Sequence, residues 1–282
     1  MLSQPTRPVL AIIGAGSMGL AIAHRLGPGH HIVIGDVSTE NLTKAEASLK
    51  ALGHFFTTCK IDVSKKEDVE AFAKTAEATG PIRTVFLNAG LSRMANDARR
   101  IYETNLIGTA LVIETFSPLI APGGSLIAVS SLAGHMRTFD QHILRHFATA
   151  PISKLLDHPE IDLEGDPGAA YCFSKRGVIV RAQYTAMAWG RRGLRINTIS
   201  PGGVMTPMVL EVLESPDGAW VQGMIDATPV GRIGTSNDIA GAVAFLAGPD
   251  ASFVNGSDLV VDGGTLPTHL YNAEEAPEWT KK

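Results

Sequence analysis

Short apolar runs rich in β-formers alternate with longer amphipathic stretches along almost the whole chain, and that alternation leaves few folds open. Residues 9–13, 31–34, 55–59, 84–87, 125–129, 194–199 and 258–261 read as strands, most of them apolar on both faces. Helical stretches lie between them: in one, Leu42, Ala45, Leu49 and Leu52 share a face, and in another Val69, Phe72, Ala73 and Ala76 do. Seven strands parted by crossovers predict an α/β fold: a single Rossmann-type domain with a doubly wound, parallel, seven-stranded sheet and helices on both faces. Such a sheet binds ligands beyond the carboxyl ends of its strands, so the chemistry-bearing residues are expected there.

The rhythm breaks once. From about 135 to 168 no strand follows the fifth promptly; Ile143, Phe147, Ile152, Leu155 and Leu156 predict one or two short helices, and residues 157–166 form an acidic loop. This stretch reads as an insertion in a domain spanning 1–271, with the polar, proline-containing residues 272–282 expected to fray. A net charge of −4 gives no basic field for nucleic acid or an anionic membrane. No apolar run approaches the length of a bilayer span, and the opening MLSQPTRP lacks the build of a secretion signal. Two cysteines, Cys59 and Cys172, make no disulfide framework. The expectation is a cytoplasmic protein with neither nucleic-acid nor membrane partners.

Gly14, Gly16 and Gly19 stand in G-x-G-x-x-G spacing after the first strand and at the start of a helix. The first permits a tight turn, the second lets the backbone approach a pyrophosphate, and the third allows close helix–strand packing. With Ser17 and Met18 they open the helix, whose free N–H groups and dipole favour an anion. Asp36 ends the second strand, 22 residues after Gly14. A carboxylate there accepts from the adenosine ribose hydroxyls and repels a 2′-phosphate, and no Arg or Lys lies among Ala15, Ser17, Met18, Val37 or Ser38. NAD is the expected cofactor, with NADP disfavoured.

Further motifs follow in a fixed order. Asp62-Val63 comes after the third strand and Asn88-Ala89-Gly90 after the fourth; Asn105 sits in YETNLIG, and Ser130 and Ser131 open SSLAG. Tyr171 and Lys175 form YxxxK, and Pro201, Gly202, Val204 and Thr206 belong to ISPGGVMTPM. A YxxxK alone is a weak signal, but all the pieces in order are a strong one. From residue 9 to 264 the chain resembles the short-chain dehydrogenase/reductase family. There are two departures. The family loop TGxxxGxG has one more residue than this one, and Ile13 stands at the threonine. The family also spaces its Ser and Tyr by about a dozen residues, whereas Ser131 and Tyr171 are 40 apart, a difference the insertion accounts for.

Tyr171 and Lys175, four apart on a helix, share a face. A phenol with its ordinary pKa of about 10 is a poor base at neutral pH, but an ammonium and a positive nicotinamide nearby stabilise the phenolate. The resemblance implies Tyr171 as general acid/base, Lys175 as its modulator and ligand of the nicotinamide ribose, and Ser131 as donor to the substrate oxygen. It implies that Asn105 holds a relay water, that Asp62-Val63 faces the adenine, that Asn88-Ala89-Gly90 passes close to the cofactor, and that Thr206 holds the carboxamide. It also implies a homodimer or homotetramer paired through the helices of Asn105 and Tyr171; the insertion itself is expected near that surface or over the pocket.

The substrate is expected to be a small alcohol or ketone, and a fairly apolar one. Residues 92–99, the insertion, and Met208, Val209, Leu210, Val212, Leu213, Trp220, Met224 and Ile225 would close the pocket. One alternative is an NADPH-dependent 3-oxoacyl-type reductase, against which Asp36 speaks. Another is a non-catalytic dinucleotide sensor or scaffold, which has no need of the full Asn–Ser–Tyr–Lys set. Cys172 reads as a small buried hydrophobe. No metal is expected: His142 and His146 are four apart, but HILRH lacks a metalloprotease glutamate and no third ligand stands out.

Overall fold

The sheet forms as the alternation predicts: β1 (Val9–Ile13), β2 (His31–Asp36), β3 (Phe55–Lys60), β4 (Ile82–Leu87), β5 (Ile120–Val129), β6 (Arg195–Pro201) and β7 (Asp258–Val261). The structure, a computed structural model, describes residues 7–206, 209–210, 213, 218–226 and 228–271. The tail expected at 272–282 lies outside them, as do Met208 and Val212. All seven strands are parallel, in the order β3-β2-β1-β4-β5-β6-β7. The order reverses between β1 and β4, and the crevice at their carboxyl ends is where a doubly wound sheet takes its ligand.

Helices α1 (Ser17–Leu26), α2 (Thr39–Ala51), α3 (Lys66–Thr79), α4 (Ala98–Tyr102), α5 (Gly108–Phe116), α6 (Gln141–Thr149) and α7 (Pro167–Gly190) come before β6; α8 (Gly218–Asp226), α9 (Ser236–Ala247) and α10 (Thr265–Tyr271) come after it. Alternate residues of each strand feed two apolar layers. Val9, Ala11 and Ile13 pack with Phe72, Val112 and Val178 from α3, α5 and α7; Leu10 and Ile12 pack with Ile22 and Val243 from α1 and α9. Val69, Phe72, Ala73 and Ala76 are buried as their spacing predicts. Leu52 is not: α2 ends at Ala51, the chain turns through Gly53 at φ +69°, and Leu52 is 62% exposed. Two strands start earlier than their apolar runs, because β5 reaches back through Gly123 and Gly124 to pair Ile120 with Ile82 of β4 across a register irregularity.

The insertion forms α6, a single 3-10 turn at Ile152–Lys154, and a return segment to α7. Asp140 caps α6, accepting from the His142 N–H at 2.7 Å. Ile143, Phe147 and Leu155 are fully buried against Tyr102, Leu106 and Ala170. Arg181 on α7, only 7% exposed, donates to the Phe147 and Ala150 carbonyls at the end of α6 (3.2 and 2.9 Å) and to Glu114 of α5 at 3.1 Å. The insertion therefore lies on the helices that bear Asn105 and Tyr171. Among the described residues no helix is long and apolar enough to cross a membrane.

Candidate active site

Three residues join β1 to α1. Gly14 adopts φ +107°, and a Cβ on it would lie 2.6 Å from the Ala89 nitrogen. The Asn88 and Ala89 N–H groups both donate to the Ile13 carbonyl at 2.8 Å, so the loops after β1 and β4 are pressed together. A Cβ on Gly19 would run into the Gly14 carbonyl oxygen. Packing requires the first and third glycines. Gly16 differs, because nothing lies within 4 Å of where its Cβ would be.

No side chain caps the first turn of α1, Ser17-Met18-Gly19, which leaves N–H groups for an anion. Asp36 stands beside this loop: its Oδ2 accepts from the Ala15 N–H at 2.7 Å and its Oδ1 from the Ser38 N–H at 2.8 Å. Asn88 donates to the Gly14 carbonyl at 3.4 Å, and its Oδ1 is buried without a partner among the described residues. The open flank at Gly16, the uncapped turn and the orphaned amide oxygen fit a dinucleotide lying along this edge.

Asp62 accepts from the Ser64 hydroxyl at 2.6 Å, and Val63 is buried against α5, where a Cβ on Gly108 would meet it at 2.9 Å. Gly202 at the end of β6 fits tightly on Asp262, its N–H donating to the Val261 carbonyl at 3.0 Å. Val204 bridges to Gly234, and Thr206 starts the next turn by accepting from the Leu210 N–H at 2.9 Å. Val209 and Leu213 are half-buried there, while Leu210 is exposed.

The four expected catalytic residues come together at the carboxyl ends of β4 and β5. Asn105 lies in a π-helical turn, Glu103–Ile107, between α4 and α5, the kind of helix defect that often marks a functional position. It is 1% exposed; its Oδ1 accepts from the Leu91 N–H at 2.8 Å, and its Nδ2 donates to the Leu91 carbonyl at 2.9 Å and the Ser174 hydroxyl at 3.2 Å. Gly90 sits where a Cβ would come within 3.0 Å of Asn105 Oδ1 and 3.3 Å of Lys175 Nζ. Lys175 donates to the carbonyl of Val129, the last residue of β5, at 3.0 Å, and its Nζ lies 5.8 Å from the centre of the Tyr171 ring.

The Ser131 hydroxyl lies beside the Tyr171 phenol, whose pKa it pulls down, and accepts from the Ala133 N–H at 3.2 Å. Burial pushes the Tyr171 phenol up, against the pull of Ser131, and lowers Lys175 to about 8. Two features were not legible from the motifs. Ser130 is a fastener, its hydroxyl donating to the Lys175 carbonyl at 2.7 Å, and His135 ties the same loop to β7 through Asp258 at 2.7 Å. Burial raises the Cys172 thiol, opposed by Arg137 beside it.

At the opposite rim, by the amino ends of β4 to β6, a groove of about 640 Å³ is lined by Arg83, Gly123, Arg195 and Asn255 among others, and none of the site residues borders it. Among the described residues no three His, Cys, Asp or Glu side chains are placed to hold a metal ion.

Fold and side chains define the class: an α/β nucleotide-binding domain with a Tyr–Lys pair where its strands end. Residues 8–143 match the family model described as short chain dehydrogenase, and residues 163–265 match that described as enoyl-(acyl carrier protein) reductase. The short-chain dehydrogenase/reductase bsc3 of Alternaria brassicicola is 37% identical over 268 residues, 94% of this chain and 97% of the relative. The cyclohexanol dehydrogenase of an Acinetobacter strain is 30% identical, covering 93% of this chain and 96% of the relative. A short-chain type dehydrogenase/reductase structure from Mycobacterium ulcerans shares the fold, with TM-score 0.75, 22% identity and 97% of each chain covered. The chain belongs to the short-chain dehydrogenase/reductase family, and it is an oxidoreductase acting on CH–OH or C=O groups with an NAD(P) cofactor.

Proposed function

We propose that this chain interconverts a secondary alcohol and a ketone, on a fairly apolar small molecule, with NAD(H) as its preferred cofactor. The observation that carries the reading is the convergence of Ser131 on the Tyr171 hydroxyl, with the Lys175 ammonium held beside the same ring. The cofactor supplies or accepts the hydride.

In reduction, Tyr171 gives its proton to the substrate oxygen while the Ser131 hydroxyl, turning from the phenol, donates to that same oxygen. The Lys175 ammonium, with the positive nicotinamide, stabilises the phenolate and returns the proton, by way of a water held at Asn105. Oxidation runs these steps backwards. Asp36 takes the ribose hydroxyls, the turn from Gly14 to Gly19 takes the diphosphate, Asp62 and Val63 border the adenine, and Pro201, Gly202, Val204 and Thr206 border the nicotinamide.

The names of two relatives, cyclohexanol dehydrogenase and levodione reductase, favour cyclic ketones and alcohols as first trials. A second reading, an NADPH-dependent acyl-type reductase, draws on the family description matched by residues 163–265, and Asp36 stands against it. A homodimer or homotetramer in the cytoplasm suits the family and the two unpaired cysteines. The test is a fluorescence titration with NADH and NADPH, followed by turnover of cyclohexanol and cyclohexanone. Tighter NADH with turnover supports the proposal, and tighter NADPH would transfer it to the second reading.

A further inference from the structure

His142 and His146 lie one turn apart on α6, and the return segment brings a third imidazole onto them. The His158 ring is centred 5.2 Å from that of His142 and 4.9 Å from that of His146. The hydrogen bonds assign each proton. The Glu160 N–H donates to His158 Nδ1 at 3.2 Å, so a neutral His158 carries its hydrogen on Nε2. That Nε2 lies 3.0 Å from His142 Nδ1, which therefore accepts. His146 Nε2 lies 3.1 Å from the Leu155 carbonyl oxygen, which can only accept, so this nitrogen donates. The chain of bonds is complete when His142 and His158 are both neutral.

Protonation undoes it bond by bond. A charged His158 carries hydrogen on Nδ1, facing the Glu160 N–H, so two donors meet there; a charged His142 carries it on Nδ1, facing the His158 N–H, so two donors meet at the link to α6. With both rings charged they also repel. Burial is the main force against charge on His158, reinforced by His146 and His142; Glu160 of the return segment and Asp140 at the head of α6 work the other way, and the net effect holds His158 below its ordinary value.

We propose that His142, His146 and His158 form an acid-released latch fastening the return segment of the insertion to α6. The free segment titrates near 6.5 and the latched ring lower, so the free form binds more protons between those values. The latch is at full strength above about pH 6.5 and is lost as pH falls through the latched value. Leu155 and Ile161 flank it, both buried with Tyr102 and Ala170 at the head of α7, so release loosens the flank of the helix that bears Tyr171.

Hydrogen exchange of the full chain, read by mass spectrometry between pH 7.5 and 5.5 and corrected for intrinsic rates, tests this without any substrate. Protection of residues 155–161 is expected to fall by up to about tenfold per pH unit below 6.5, with β1 and β4 unchanged. The double variant His142→Asn/His158→Gln, which can keep the bonds without titrating, is expected to lose that slope. A flat wild-type profile in this segment overturns the latch, and so does a slope that persists in the double variant. If the variant fails to fold, the wild-type profile decides alone.

Discussion

Tyr171 and Lys175 are displaced toward their neutral forms by one cause, burial, and the two consequences can be measured separately. Tyr171→Phe removes the transferable proton and keeps the ring; kcat is expected to fall by roughly 10²–10⁴-fold with NADH affinity retained. For Lys175, lowered to about 8 in the folded apoprotein, the unfolded chain binds more protons between pH 8 and 10.5, so apoprotein stability rises across that interval. Below it the buried ammonium is a full burden. Lys175→Met is therefore expected to abolish turnover while leaving the apoprotein at pH 7 no less stable, a gain of up to about 2 kcal/mol in denaturant melts. Asp36→Asn keeps an oxygen for the Ala15 N–H and removes the charge that repels a 2′-phosphate; NADPH affinity is expected to rise about tenfold relative to NADH. At this scale the sequence was readable where motif order identifies a residue and silent where only contact does. It named Ser131 over Ser130 by alignment, but nothing in the letters ties Ser130 to the Lys175 carbonyl or carries His158 back across sixteen residues to His142.

Among the elements, the β1–α1 turn separates two uses of glycine. Gly19→Ala drives a methyl into the Gly14 carbonyl and is expected to lower stability by about 1–3 kcal/mol in thermal melts. Gly16→Ala meets open space in the apoprotein, so its melting point is expected to hold while dinucleotide affinity falls about tenfold or more. A Gly16→Ala chain that melts early would show that its flank serves packing and not a ligand. The inner strands were legible because parallel strands buried on both faces are apolar throughout. Their ends were not: the reach of β5 back to Ile120 depends on pairing with Ile82, and pairing leaves no local signature.

In the molecule as a whole, the order of motifs along the chain carried both the fold and the site, because each crossover returns the next motif to the same rim. The insertion was visible as a broken rhythm; that it would lie near the helices of Asn105 and Tyr171 was expected, but its seat on α7 was not legible, since only packing fixes it. Ile143, Phe147 and Leu155 attach it by packing, and Arg181 adds a nearly buried cation with three partners, two of them at the end of α6. Arg181→Met is expected to lower stability by about 2–4 kcal/mol, read in urea melts, by undocking the insertion.

That one guanidinium also makes the appendage heritable as a pair of changes. The insertion gives no strand to the sheet, so its length is free to vary between descendants without disturbing the nucleotide-binding half. A lineage that deletes it, however, removes the two carbonyls that Arg181 holds and leaves that guanidinium with Glu114 of α5 alone. A homologue with a short link between β5 and α7 has less use for arginine there, and a graft of this insertion onto such a homologue should take hold best when arginine travels with it.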